Sequence, residues 1–92
     1  MKLFQKFLRR RLTPVEQLAE YESQIAYNQT IINNAETQIE LATNLISSFT
    51  HAEDKMKLLE KIEGYTVGME KASAELEYYQ VLRNNLLEKL DN

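Results

Sequence analysis

The chain of 92 residues contains no cysteine, one proline and two glycines. Without cysteine, neither a disulfide framework nor a thiolate metal site can brace the fold, and thiol redox chemistry is excluded. The scarcity of proline and glycine removes nearly every turn former that a β-fold would need, whereas Leu, Glu, Gln, Lys and Ala are abundant. The class is therefore all-α. No run approaches the roughly 18 apolar residues of a membrane span. The N-terminus is basic but lacks an uninterrupted apolar core with a small-residue cleavage site. The chain reads as neither spanning nor secreted. A cytoplasmic location is expected, and peripheral contact with a membrane surface is the one membrane reading left open.

What is present is divided unevenly. The net charge of −3 conceals a cluster of +5 in the first eleven residues, from Lys2, Lys6, Arg9, Arg10 and Arg11. The remaining residues carry six basic and fourteen acidic side chains, a balance of −8. A basic arm, residues 1–12, thus precedes an acidic body, residues 13–92. A body of this size buries only a modest share of its surface on its own, so help from a partner chain is expected.

Thr13, Pro14 and Glu16 read as a helix start: Thr as N-cap, Pro at the first helical position and Glu completing a capping box. Thr50, followed by His51, Ala52 and Glu53, repeats the box after Ser47 and Ser48. The expected helices run over about 14–49 and about 51–91. Within the first, Leu18, Ile25, Ile32, Ile39 and Ile46 recur every seven residues, and Tyr21, Asn28, Ala35, Ala42 and Phe49 stand three behind each. In the second, Ile62, Met69, Leu76, Arg83 and Leu90 form one series and Leu58, Tyr65, Ala72, Tyr79 and Leu86 the other. These are heptad positions of a coiled-coil seam. The second register passes unbroken through Gly64 and Gly68, which predicts one continuous helix at a cost of about 1 kcal/mol per glycine. The spacing of the glycines is also that of small residues permitting close helix approach.

A turn near residue 50 makes the helices antiparallel, so residues whose numbers add to about 101 should face each other. Ile39 then meets Ile62, Ala35 meets Tyr65, Asn28 meets Ala72 and Tyr21 meets Tyr79, so that small residues face large ones. Asn28 is expected to fix register, and Arg83 to lie near Glu16 or Glu20. Each helix would be roughly 55 to 60 Å long. Apolar residues also lie off the seam at Ile31, Leu41, Leu45, Leu59, Leu82 and Leu87, and a second stripe on the second helix runs through Val67, Ala74, Tyr78 and Val81. That stripe predicts association into a homo-oligomer, most simply an antiparallel four-helix dimer.

No constellation for catalysis, cofactor or metal is apparent. The single histidine, His51, has no metal-ligand spacing to Glu53 or Asp54. Pairs such as Glu36 with Glu40, or Glu60 with Glu63, project outward, whereas acid-base chemistry needs carboxylates in a desolvated cleft. No glycine-rich phosphate loop occurs, because Gly64 and Gly68 lie in mid-helix without a preceding strand.

Two surfaces remain as binding candidates. In the arm, Leu3, Phe4, Phe7, Leu8 and Leu12 fall on one helical face and Lys2, Lys6, Arg9 and Arg10 on the other, with Arg11 adding charge. Such a helix fits an anionic membrane surface, the phosphates of a nucleic acid, or a protein groove. Its aligned apolar face favours membrane or protein, and the competing structural reading folds that face back onto Val15, Leu82, Leu86 and Leu87. On the first helix, residues 23–35 carry no charge, and Ser23, Tyr27, Thr30 and Asn34 point outward. A neutral face with a tyrosine desolvates cheaply, as interface cores do. Drift toward asparagine in composition would produce the same face. The leading expectation is a non-enzymatic adaptor, scaffold or inhibitor acting through protein-protein contact, a type frequent among virus and mobile-element accessory proteins. Nucleic-acid binding through the arm and membrane anchoring by the arm are the alternatives.

Overall fold

A computed structural model describes residues 12–91. Two helices make up the described fold: α1, Pro14–Ile46, and α2, Ala52–Asp91. They lie antiparallel as a hairpin whose longest dimension is 60 Å, as expected for the 40 residues of α2 at ~1.5 Å per residue.

The start of α1 is the capping box read from the sequence. Thr13 sits in extended geometry, its hydroxyl accepts from the Glu16 amide at 3.1 Å, and the Glu16 carboxylate accepts from the Thr13 amide at 3.1 Å. Two of the otherwise unpaired donors at a helix N-terminus are satisfied this way. The other end differs from expectation. α1 stops at Ile46 rather than near residue 49, because the Ser48 and Phe49 amides turn back to the carbonyls of Leu45 and Ile46 at 2.9 and 3.4 Å. The Ser47 hydroxyl also donates to the Asn44 carbonyl at 3.3 Å. These contacts satisfy carbonyls that a continuing helix would have bonded. The chain spends residues 47–51 on its reversal, and α2 begins one residue later than read. The Lys55 amide donates to the His51 carbonyl at 3.2 Å, which makes His51, not Thr50, the residue that leads into α2.

The seam follows the two heptad series. Every seam residue of α1 from Leu18 to Ile46 is buried or half-buried, with Asn28, Ile32, Ala35 and Ala42 the most enclosed. On α2, Leu58, Ile62, Met69, Leu76, Tyr79 and Leu86 are half-buried and Ala72 is buried. Two members fall out: Tyr65 is 37% exposed and Leu90 48%. By register Tyr65 is level with the small Ala35, which is 5% exposed. Leu90 lies so near the open end that its counterpart by register precedes α1. The register itself is confirmed by Tyr21 and Tyr79, whose ring centroids are 6.3 Å apart.

Three expectations at the seam change in detail. Asn28 is 1% exposed, but its side-chain amide donates to the Gln24 carbonyl of its own helix at 2.9 Å. It is satisfied locally and does not tie the two helices together. Arg83 reaches Glu22 at 3.5 Å rather than Glu16 or Glu20, and its Nε is enclosed without a hydrogen-bond partner. α2 does run unbroken through both glycines, neither of which has a positive φ. Their role in the hairpin is not close packing, since a Cβ added to Gly64 or Gly68 would meet nothing within 4 Å.

Candidate interaction surfaces

A two-helix seam leaves each helix with two flanks and an outer edge, and sequence position decides which residues fall where. In an antiparallel pair the flank preceding one seam series on α1 adjoins the matching flank on α2. Tyr27 and Ile31 of α1 and Gly68, Lys71 and Glu75 of α2 therefore share one broad side, where with Asn28 and Ala72 they line an open groove. Phe49 closes a second concavity on this side against Asp54, Lys57, Leu58 and Lys61 near the turn.

The two broad sides differ in chemistry. On the groove side, α1 presents Glu20 and then Gln24, Tyr27, Ile31, Asn34, Gln38, Leu41 and Leu45, the last seven without a charge, while α2 presents Asp54, Lys57, Lys61, Lys71 and Glu75. Leu41 and Leu45 repeat Tyr27 and Ile31 two heptads later. The opposite side carries Glu22, Glu36, Glu40, Glu63, Glu70 and Glu77, all exposed. Among the described residues Arg83 is the cation set into that acidic side, paired with Glu22. Like charges spaced along one face repel a like face and attract a basic one, although salt screens them over about 10 Å. The sequence reading separated seam from surface but not flank from flank. The signal was available in the positions of these glutamates within the heptad.

The candidate residues are distributed unequally over this frame. Ser23, Tyr27, Thr30 and Asn34 are exposed and share the outward strip of α1, with Tyr27 63% exposed. That strip is less polar than its composition, because the Thr30 and Thr37 hydroxyls donate to the carbonyls of Ala26 and Asn33 at 2.9 and 3.0 Å. Their methyl groups are left to face solvent. Val67, Ala74 and Val81 lie along the outer edge of α2, while Tyr78, 59% exposed, stands at the groove-side flank and packs edge-on against Tyr79. The α1 strip and the α2 edge therefore face away from one another and do not form one site. The arm residues Lys2, Leu3, Phe4, Lys6, Phe7, Leu8, Arg9, Arg10 and Arg11 lie outside the described residues.

The chain matches no family model, no curated protein and no solved structure. The surfaces therefore have to be read from their own chemistry. Among the described residues, no group of three or more His, Cys, Asp or Glu is placed to hold a metal ion. None of the described helices is long and apolar enough to cross a membrane.

Proposed function

We propose that this chain is a non-catalytic protein-protein interaction element, an oligomeric helical hairpin that serves as an adaptor, scaffold or inhibitor. The observation that carries this reading is the groove side of α1, where Tyr27, Leu41 and Leu45 are each more than half exposed and residues 23–35 of the helix carry no charge. Isolated apolar side chains are ordinary on protein surfaces. A repeated apolar pair along the neutral flank of α1 is cheap for a protein partner to bury, while Lys71 and Glu75 of α2 at the groove's other wall offer it charges to pair with. The acidic opposite side disfavours nucleic-acid contact by the body and leaves only the arm for it.

Capture experiments with the full chain, a chain lacking residues 1–12, and a full-length Tyr27→Glu variant test the reading. Each is presented to cell extract, to anionic vesicles and to single-stranded and duplex DNA. A defined protein partner that survives removal of the arm and is lost with Tyr27→Glu supports the proposal. Vesicle or DNA binding that disappears with the arm, without any protein partner, replaces it with the membrane or nucleic-acid reading.

A further inference from the structure

The hairpin leaves large apolar side chains in water on its groove side, with Tyr27, Leu41, Leu45 and Tyr78 each more than half exposed. A twofold contact through the acidic side would set its row of carboxylates against an identical row. The groove side carries charge of both signs on α2, from Asp54, Lys57, Lys61, Lys71 and Glu75, and along α1 from Gln24 to Leu45 an uncharged flank that a copy can cover.

That side has an internal symmetry. Tyr27 pairs with Leu45, and Ile31 with Leu41, about the same point, since both pairs centre on residue 36. A twofold axis crossing the flank at that level lays each apolar residue of one copy on an apolar residue of the other. In the register set by Tyr21 against Tyr79, position 36 of α1 stands opposite position 64 of α2. This is the place of Gly64, with Gly68 one turn further on. Each glycine costs a helix about 1 kcal/mol relative to alanine, and nothing in the hairpin occupies the space that a Cβ would take. Two helices crossing there, α2 on α2, would approach more closely than side chains elsewhere allow.

We propose that the groove side is a self-interface, on which a second copy packs antiparallel about a twofold axis close to Gly64, with Tyr27 against Leu45 and Ile31 against Leu41. This rests on the interaction reading above and names the partner as another copy of the chain. The edge of α2 bearing Val67, Ala74 and Val81 is left outside the contact.

Sedimentation velocity of the full-length protein from about 1 to 100 μM, a range that brackets ordinary homodimer affinities, reads the association. A dimer is expected. Leu41→Glu with Leu45→Glu, both exposed in the hairpin, should give a monomer of unchanged helical content. Gly64→Ala with Gly68→Ala should raise the melting temperature of the monomeric Leu41→Glu, Leu45→Glu hairpin. In the otherwise native chain the same double glycine change should weaken dimerisation by about tenfold or more, the scale of a well-packed contact. Asn34→Cys, in a chain with no other thiol, should cross-link to its twin with a short bis-maleimide. A monomer throughout the range overturns this inference while leaving a different protein partner for the groove side. A dimer that tolerates the leucine and glycine changes but is lost with Val67→Glu and Val81→Glu also overturns it, placing the contact on the outer edge of α2.

Discussion

α1 buries four residues in the hairpin and α2 only one, although α2 is the longer helix by seven residues. Side-chain size accounts for part of the difference, since two of the four are alanines and the other two are Asn28 and Ile32. Ala35 and Ala42 of α1 are 5% and 7% exposed, and by register they stand level with larger residues of α2. Those larger residues keep one side in water. The relation reverses at Ala72, the buried residue of α2, which lies under the level of Asn28 and is 4% exposed. A contact between two helices offers no third wall, so most large seam residues keep one side in water, and only Asn28 and Ile32 near the middle of α1 are enclosed as fully as the alanines. The excess apolar surface of α2 is thus a consequence of the two-helix architecture.

This comparison can be broken most directly at its centre. Ile32→Asp and Ala72→Asp place an unpaired charge at sites 8% and 4% exposed. Both should remove most of the cooperative thermal transition followed by circular dichroism, as buried unpaired charges are among the most damaging single changes. Should Ala72→Asp be tolerated while Ile32→Asp is not, the seam would be carried by α1 packing on something other than α2.

A smaller effect is expected at the one place where the larger helix puts a charge into the seam. Because the Arg83 Nε is enclosed and unbonded, Arg83→Met should leave stability within about 1 kcal/mol of the parent or raise it. Glu22→Ala should lower stability by about 1 kcal/mol, discounted because the carboxylate side chain is 52% exposed. Urea titration of the two variants separates these outcomes.

The ends sharpen the comparison further. Thr13→Ala breaks the reciprocal box of α1 and should cost about 1 kcal/mol, read as a fall in melting temperature. The smallest effect is expected for Lys57→Ala. Its ion pair with Glu53 spans 3.9 Å between side chains 70% and 83% exposed, so the change should be about 0.3 kcal/mol or less.

Much of this architecture was legible residue by residue. The seven-residue spacing named the seam from Leu18 to Leu86, the Thr13 box named the start of α1, and the unbroken phase through Gly64 and Gly68 named one helix where two glycines invited a break. The turn was less legible. Thr50 and His51 both suit a helix start, and only the geometry of the reversal, with Ser48 and Phe49 bonded back to the last carbonyls of α1, moved the boundary to Ala52. The candidate surfaces were legible as exposed positions, not as sides. That Tyr27 shares a groove with Gly68 while the glutamates gather opposite depends on how two helices are set against each other.

Within the described residues, the sequence by itself determined the two long helices, their antiparallel pairing and most of the residues that point inward, because hydrophobic periodicity encodes direction around a helix axis. Tertiary structure decided what each inward residue reaches. Asn28 turned to its own backbone, Arg83 chose Glu22, and the two glycines were left facing open space. Those outcomes depend on distances between helices and on side-chain length, which a repeat of directions does not contain.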